Sequence, residues 1–316
     1  MFLDCSKIEK IDTSLFETSN VKNMSQMFEG CLYLTSLELS NFNTEQVESL
    51  SNMFKYNYAL TSLQLSSFNT KNVKDMSSMF QFCINIKQID ITSFDTSKVT
   101  NSVNMFNGCN SLITLKINNF KSENMAHLLD GCQNLGVFDF SNVITDNVKN
   151  MSGLFKDCQK LTSIDLSKIN TIQVKDMSSM FFGCSSLTEI NLEKFDTKNV
   201  EDMALMFKGC SSITSLNVNN FVTKEVTDMY GMFQECSKIK ELNLLNFDTT
   251  KVTDMAHMFD FTLNLENLMI DNFNTKNVHD MSYMFSNAKK LKKIDLKIFD
   301  TSNVDNMEYM FNYCQG

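Results

Sequence analysis

The sequence contains no arginine, no tryptophan and no proline, so all 28 of its basic residues are lysines. Arginine is the side chain best suited to bidentate recognition of phosphate and carboxylate groups, and its absence removes that mode of binding. The formal net charge is −9. Because affinity for nucleic acids depends on neutralising phosphates, this composition argues against a nucleic-acid partner.

Long apolar runs are also missing. No stretch approaches the roughly 18 apolar residues that a membrane-spanning helix needs. The first seven residues lack a basic segment followed by an apolar one, so no signal peptide is predicted. Met1 falls in register with Met27, and Cys5 with Cys31, as if the chain began within a repeat. We therefore expect an uncapped segment of a longer protein, with any membrane anchor outside it.

What the sequence has is a repeat. Phenylalanine recurs from Phe2 to Phe311 at a step of 26 residues, with one step of 23 between Phe106 and Leu129. Counted from its first Phe, the unit reads F-(N/D)-T-x-x-V-x-(D/N)-M-x-x-M-F-x-x-C-x-x-L-x-x-L-x-(L/I/V)-x-x. A fixed period in the twenties is the signature of a solenoid. No Pro-, Gly- or Ser-rich linker interrupts it, so residues 1–316 are predicted to form one repeat domain of about twelve coils.

Each unit carries one strand signal. In residues 187–192, apolar Ile190 and Leu192 flank polar Asn191, a period of two that fits a strand with one face buried. Successive strands are predicted to pair in parallel. Near residues 120–129 one unit lacks three residues between its strand and the next segment, which predicts a tightened connection there.

Each unit also carries one helix signal. Met177, Met180, Phe181 and Cys184 lie at i, i+3, i+4 and i+7, the apolar stripe of a short amphipathic helix. The residue before the first Met of each stripe is Asp, Asn or Ser, and these are strong N-cap residues. A calcium ladder would need several oxygens from one loop, whereas each coil offers a single acid, so capping is the simpler interpretation. The Met-rich stripe is predicted to be core rather than a binding groove.

Two stretches show the repeat most clearly, Phe68-Asn-Thr-Lys-Asn-Val-Lys-Asp-Met-Ser-Ser-Met-Phe80 and Phe195-Asp-Thr-Lys-Asn-Val-Glu-Asp-Met203. They resemble the BspA-like leucine-rich repeat proteins, in particular the branch of short repeats common in mycoplasma-type surface lipoproteins. The resemblance covers essentially the whole chain. It implies an α/β solenoid, a right-handed leucine-rich-repeat-like array of strand, turn and short helix with a parallel sheet on the concave face. It also implies an adhesion or interaction module that is located at the cell surface or secreted, with no catalytic motif.

The ten cysteines do not form a metal or disulfide framework in this interpretation, because their common step is 26 and no C-x-x-C pair occurs. Replacement by Asn57, Thr262 and Ala288 in the same column suits a small core position. Buried free thiols are predicted, and occasional disulfides between neighbouring coils stay open as the alternative. No metal or cofactor is predicted.

The three histidines, His127, His257 and His279, are far apart in sequence and have no partner at ligand spacing. His127 and His257 occupy the same position of the predicted helix, two residues after a Met, in repeats that are not adjacent. We interpret them as residues of a solvated helix face rather than as metal ligands or catalytic groups.

The predicted binding face is the column of residues between the two apolar strand positions, which points away from the core. This column consists of Asp12, Glu38, Gln64, Asp90, Lys116, Asp139, Asp165, Asn191, Asn217, Asn243, Met269 and Asp295. Extended concave faces are the surfaces that solenoids use for binding, so a protein or glycan ligand is expected here. A merely solvated sheet face is the alternative interpretation of the column.

The function predicted from these features is non-enzymatic binding. No position departs from the repeat to supply an activated nucleophile or a phosphate-binding loop. A structural role is the alternative, because an uncapped solenoid exposes unpaired strand edges and could stack end to end into filaments.

Overall fold

The segments predicted to be helices are instead runs of turns. In the computed structural model, which describes residues 1–315, the backbone N–H groups of Met177, Ser179 and Phe181 donate to carbonyl groups of the following coil at 3.1, 2.8 and 2.9 Å. The N–H groups of Met180 and Phe182 donate three residues back, at 3.2 and 3.1 Å, and that of Ser178 donates to the side chain of Asp176. Ser179 and Gly183 lie in the left-handed region, with φ of 55° and 71°. A helix cannot pass through such residues, so this prediction was wrong.

Coil spacing explains the difference. Neighbouring coils of this solenoid are joined by strand-type parallel bridges, and strands in such ladders lie about 4.8 Å apart. Packed helices need about 8–10 Å between their axes, so a stack of helices cannot keep this spacing. A stack of turns can keep this spacing, because alternate N–H groups point along the stack to the next coil. We call this side of each coil, equivalent to residues 176–184, the turn face.

An unbroken ladder of parallel bridges holds the turn face together. Eleven bridges link the capping residues of consecutive coils, from Asn23 to Asn306. In all twelve of these residues the side-chain oxygen accepts the N–H of the residue two positions on. The capping role is thus confirmed, but each residue caps a turn instead of a helix.

The strand face, equivalent to residues 187–192, is paired only in part. Its short strands are β1 (Lys10–Ile11), β2 (Ser36–Leu37), β3 (Gln88–Asp90), β4 (Thr114–Lys116), β6 (Val137–Phe138), β8 (Ser163–Ile164), β9 (Glu241–Asn243) and β10 (Asn267–Met269). They form the parallel pairs β1–β2, β3–β4, β6–β8 and β9–β10. Between β2 and β3, no backbone N–H of residues 61–65 donates to another backbone group of the described chain. The parallel pairing is therefore confirmed, but the sheet is discontinuous.

The array is a β-solenoid of about ten regular turns, fewer than the predicted twelve, because two of the coils along the ladder are irregular. One irregular coil follows the short repeat, where β5 (Phe120–Lys121) pairs with β7 (Val143–Ile144) and a 3-10 turn spans Phe140–Asn142. In the last coil residues 291–295 form no strand, and a second 3-10 turn, Leu296–Ile298, follows them. The turn-face ladder nevertheless continues through Asn124, as expected for a tightened connection.

Columns of identical residues fill the interior. Phe181 is fully buried, and its ring stacks on those of Phe155 and Phe207 with centroids 5.6 and 5.7 Å apart. Val200 and Met203, in the coil that follows, are fully buried too. The hydrophobic cluster extends from Met24 to Met310. The predicted core columns are confirmed.

Buried threonines join neighbouring coils. The hydroxyl of Thr197 donates to the carbonyl of Val222 at 2.9 Å and accepts its N–H at 2.7 Å. Thr197 is 1% exposed. The same pair of hydrogen bonds links Thr44 to Asn69 and Thr171 to Asp196. The Thr of the repeat is therefore a hydrogen-bonded connector between coils.

The cysteines are free, and eight of the ten are buried, as predicted. The thiol of Cys184 donates to the carbonyl of Phe155 at 3.1 Å, and equivalent bonds recur along the column. Asn57 keeps this role in the same place, because its amide donates to the carbonyl of Phe28 at 2.7 Å. Burial raises the pKa of Cys31 to about 11 and that of Cys83 to about 12.

This burial predicts slow thiol chemistry. Since the thiolate is the reactive form, an aromatic disulfide reagent at about pH 8 should react promptly only with half-buried Cys5 and exposed Cys314. The eight buried thiols should react only after urea unfolds the coils. Mass spectrometry of the labelled protein measures this difference. Prompt labelling of Cys184 in native protein would contradict the packing described here.

Candidate functional site

Most members of the predicted binding column have a structural partner. In eight of them the side-chain oxygen accepts the backbone N–H two residues on, which caps the turn that follows the strand. These eight are Asp12, Asp90, Asp139, Asp165, Asn191, Asn217, Asn243 and Asp295. Period-two alternation correctly placed them on an outward face. It did not reveal that the next turn uses their oxygens.

Hydrogen bonding lowers the pKa of several of these carboxyls. The side chain and N–H of Ser14 lower the pKa of Asp12, and those of Thr92 lower the pKa of Asp90. Ser141 acts in the same way on the pKa of Asp139. These carboxylates are accordingly ionised and bonded to their own loops, although they remain open to solvent.

The other members of the column have no such role. Glu38, Gln64 and Lys116 are not turn caps, and neither is Met269, whose side chain has no oxygen. Lys116 and Asp90 lie opposite each other in the β3–β4 pair, with Nζ and Oδ2 3.5 Å apart. Both side chains are more than half exposed. This exposed ion pair is the closest charged contact within the column.

A hollow of about 340 Å³ opens beside this pair. Its walls are residues 62–66 on one side and Gln88, Asp90 and Thr92 on the other, with Lys116 at the margin. It lies where the strand ladder is interrupted, next to the unpaired N–H groups of residues 61–65. Smaller hollows accompany Asn191, and Met269 with Asp295. The structure thus brings Gln64, Asp90 and Lys116 into one site and Met269 and Asp295 into another.

Concavity of the strand face stays a prediction. Leucine-rich repeats with helices curve toward their strands because packed helices are farther apart than paired strands. Here the turn face carries the unbroken ladder and the strand face the interrupted one. The usual cause of curvature toward the strands is therefore missing.

The turn face carries a column of five stacked aspartates, which we call the carboxylate ladder: Asp176, Asp202, Asp228, Asp254 and Asp280. Burial, together with the neighbouring carboxylates of Asp176 and Asp228, raises the pKa of Asp202 to about 6. The pKa of Asp254 is raised for the same reasons. Two neighbouring aspartates of such a column repel each other when both are ionised, which destabilises the folded state.

This ladder predicts a stabilising substitution. The pKa of Asp202 is about 6 in the folded protein and 3.8 in the unfolded protein, so folding favours its protonated form. The stability that Asp202 contributes is therefore fully present below pH 3.8 and is lost as the pH rises through 6. Asp202→Asn keeps the acceptor for the N–H of Ala204, as Asn150 does for Ser152 at 2.8 Å. We expect it to raise the free energy of unfolding by about 1 kcal/mol at about pH 7.5 and by nearly nothing at about pH 3.5. Urea titrations at both pH values measure this.

Asp165→Asn is the matched control, because hydrogen bonds to Ser167 lower the pKa of Asp165 instead of raising it. Its carboxylate adds stability above the unfolded pKa, and that stability is lost as the pH falls through the folded pKa. The control should therefore show no gain at neutral pH. Equal gains in the two variants would contradict the explanation.

Two histidines are hydrogen-bonded to aspartates, a contact that the sequence interpretation missed. His127 Nδ1 lies 3.0 Å from Asp130 Oδ2, and His257 Nδ1 lies 2.9 Å from Asp260 Oδ2. Both acids are buried, Asp130 at 8% and Asp260 at 2% exposure. His127 and His257 are partly open to solvent, with side-chain exposures of 36% and 23%, and each ring also lies against a buried aspartate. The signal in the sequence was the shared His-x-x-Asp spacing.

Aromatic side chains are concentrated on the same side of the coils. The rings of His257 and Tyr283 stack 4.6 Å apart, and Tyr230 meets His257 edge-on at 5.6 Å. Phe182 lies between Lys156 and Lys208, whose Nζ atoms are 5.7 and 5.4 Å from its ring centre. Tyrosine is a frequent anchor in interfaces, so these rings add a second candidate surface.

Two further observations concern residues 1–315. Among them, no three His, Cys, Asp or Glu side chains are grouped closely enough to hold a metal ion. No helix in that range has the length and apolar character needed to cross a membrane.

Several solved structures are similar to this chain. A leucine-rich repeat protein from Bacteroides ovatus is 19% identical, with 96% of this chain and 84% of that one covered and a TM-score of 0.43. The T. pallidum leucine-rich repeat protein is 18% identical over 52% of this chain and 69% of that one, with a TM-score of 0.37. A leucine-rich cell surface protein from Faecalibacterium prausnitzii is 15% identical over 76% and 77%, with a TM-score of 0.28. No curated protein matches the sequence.

A family match covers nearly the whole chain. Residues 1–120, 123–243 and 231–316 match the family described as "Mycoplasma protein of unknown function, DUF285". That description indicates no catalytic class. The matched ranges include both stretches that resemble the BspA-like repeats. The chain therefore belongs to this mycoplasma family, and its resemblance to the BspA-like leucine-rich repeat proteins is confirmed.

Proposed function

We propose that the protein is a non-enzymatic interaction module that binds an extended polypeptide segment of a partner protein at the strand face. The site is the hollow between residues 62–66 and β3, with Gln64, Asp90 and Lys116 as its polar contacts. Repeat proteins of the leucine-rich type are commonly protein-interaction modules, which supports the class of function. A location at the cell surface or outside the cell accords with the family resemblance and belongs to the same proposal.

The observation that carries the proposal is the interruption of the strand ladder at this hollow. The N–H groups of residues 61–65 have no backbone acceptor among the described residues, and β3 pairs on one side only, with β4. Free backbone groups beside a strand edge can accept an added strand, so main-chain hydrogen bonds would supply affinity. The neighbouring side chains would supply specificity. Lys116 and Asp90 offer one positive and one negative group, both more than half exposed.

A display library of random peptides tests this proposal. Peptides selected on the wild type should bind Gln64→Arg/Lys116→Glu at least about tenfold more weakly, because both side chains contact the hollow and neither caps a turn. Lys160→Glu, the same lysine-to-glutamate change at an exposed residue outside the strand face, should leave binding within about twofold. Circular dichroism confirms that each variant is folded.

The outcomes separate the possible ligands. Peptides that bind wild type and the double variant equally well would remove this hollow as the site. A glycan array read with the same variants covers the other ligand class. If glycans are retained in a manner sensitive to Lys116 and no peptide is enriched, the partner is a glycan and the polypeptide proposal fails. Enrichment of neither ligand would overturn the binding function at this site.

A further inference from the structure

The second His–Asp pair contains an acceptor without a donor. Asp260 is 2% exposed, and its Oδ2 is bonded to His257 Nδ1 at 2.9 Å and to Gln234 Nε2 at 3.1 Å. Its Oδ1 is buried and has no partner among the described residues. Gln234, 7% exposed, likewise has a buried Oε1 with no partner. Two unpaired buried acceptors in bonded side chains are rare, because each costs the desolvation of a polar group.

The first His–Asp pair shows what is missing. There Lys156, 26 residues after Asp130, places its Nζ 3.5 Å from Asp130 Oδ2. An ammonium group thus reaches the carboxylate from the following coil. The residue 26 positions after Asp260 is Ser286, which is too short to do the same. The repeat therefore builds this carboxylate site twice and supplies the cation only once.

The surroundings of Asp260 suit a cationic side chain. The rings of His257 and Tyr283 are stacked, with Tyr230 edge-on, and the His257 ring is bonded to Asp260. A hollow of about 350 Å³ is lined by Glu235 and Phe261, the residues that follow Gln234 and Asp260 in the chain, and Phe261 is 45% exposed. Aromatic faces and carboxylates both attract ammonium groups. A primary ammonium also has three N–H donors, enough for the unpaired oxygens of Asp260 and Gln234.

We propose that Asp260 and Gln234 bind a primary ammonium group, supplied by a lysine side chain of a partner polypeptide. The four-carbon stem of lysine is slender enough to pass between rings and bring its charge to a buried carboxylate, as Lys156 does within the chain. The bound ammonium would supply a cation as Lys156 does at the first pair, but to Oδ1 of Asp260, because Oδ2 is already bonded to His257 and Gln234. The site lies on the turn face, so it stands or falls separately from the strand-face hollow.

Calorimetric titration with N-acetyl-lysine methylamide, n-butylammonium and tetramethylammonium tests the proposal. We expect millimolar binding of the lysine probe and at least about tenfold weaker binding of tetramethylammonium, which has no N–H donor. A lysine-containing hexapeptide should bind more tightly than n-butylammonium if a polypeptide is the source. Equal affinities would show that the source is a free amine and would overturn that part of the proposal.

Two variants remove or block the site. Asp260→Asn should abolish binding of the lysine probe. Ser286→Lys should supply the ammonium from the following coil and so block the probe. If either folded variant binds the probe as well as wild type, the site is not at Asp260.

A third variant creates the site where it is now filled. Lys156→Ser removes the internal cation from Asp130 and should double the stoichiometry of probe binding. The stoichiometry of Lys156→Ser tests the proposal even if the buried lysine of Ser286→Lys prevents that variant from folding. Unchanged stoichiometry in a folded Lys156→Ser protein would refute the comparison between the two pairs. A wild type that binds no probe would refute the proposal outright.

Discussion

Phe181→Ala should lower the free energy of unfolding by about 3–5 kcal/mol, the usual cost of truncating a buried aromatic side chain. Phe181 is fully buried and stacks on Phe155 and Phe207 in the neighbouring coils. Its removal leaves a cavity between the rings of Phe155 and Phe207, and each of these rings keeps another aromatic neighbour, Phe140 and Phe233 respectively. Urea titration followed by circular dichroism measures the loss.

The adjacent residue provides the control. Phe182 is only partly buried, and its ring contacts Lys156 and Lys208 near the surface. Phe182→Ala should cost less than about 1 kcal/mol, because exposed cation–π contacts contribute little. The two substitutions remove the same atoms one residue apart. Equal losses, or a loss well under 1 kcal/mol for Phe181→Ala, would mean that the turn face is packed differently.

Thr197→Val should lower the free energy of unfolding by about 1–3 kcal/mol. Valine has nearly the same shape, but it leaves the carbonyl and the N–H of Val222 without the hydroxyl that now bonds both. The cost is therefore one of hydrogen bonding, since the packed volume changes little.

Thr188→Val in the same coil is the matched control. Thr188 is exposed, and its hydroxyl makes no hydrogen bond among the described residues, so the substitution should be nearly neutral. Hydrogen exchange offers a second measurement, because the Val222 amide should lose protection only in Thr197→Val. An unchanged exchange rate at Val222 would show that the threonine column does not join the coils.

The helix prediction failed for a reason that no single repeat contains. The spacing i, i+3, i+4, i+7 is also produced by consecutive turns, provided that every fourth residue or so adopts a left-handed conformation. At Gly183 the sequence hints at this, but Ser179, Leu205 and Tyr283 adopt it too, with φ of 55–60°. These residue types do not favour such a conformation by themselves. Hydrogen bonds from one coil to the next compensate for it, and they exist only in the stack.

The candidate sites were likewise predictable from the sequence only in part. The outward direction of Asp90 and Lys116 followed from their place between two apolar residues, and the structure confirms that both are exposed. Their meeting across β3 and β4 followed from the period of 26 once the strands were taken as parallel. The break in the ladder beside them did not. The break depends on the backbone conformation of residues 61–65 between the neighbouring coils, and no residue type in that segment predicts it.

The His–Asp pairs were within reach of the sequence. Both carry the His-x-x-Asp spacing at the same place in the repeat, and Lys156 and Ser286 differ visibly at the following one. Only the structure shows that both acids are buried and that one of them has a carboxylate oxygen without a donor.

By itself, the sequence determined the solenoid, the buried columns of Phe, Val, Met, Cys and Leu, and the oxygen caps before each Met. These follow from periodicity and from side-chain chemistry that is the same in every repeat. The tertiary structure decided that turns replace helices, that the strand ladder is interrupted, and which outward carboxylates are used by their own loops. The physical reason is that these features depend on backbone hydrogen bonds between coils 26 residues apart, and every residue carries the same N–H and C=O whatever its side chain.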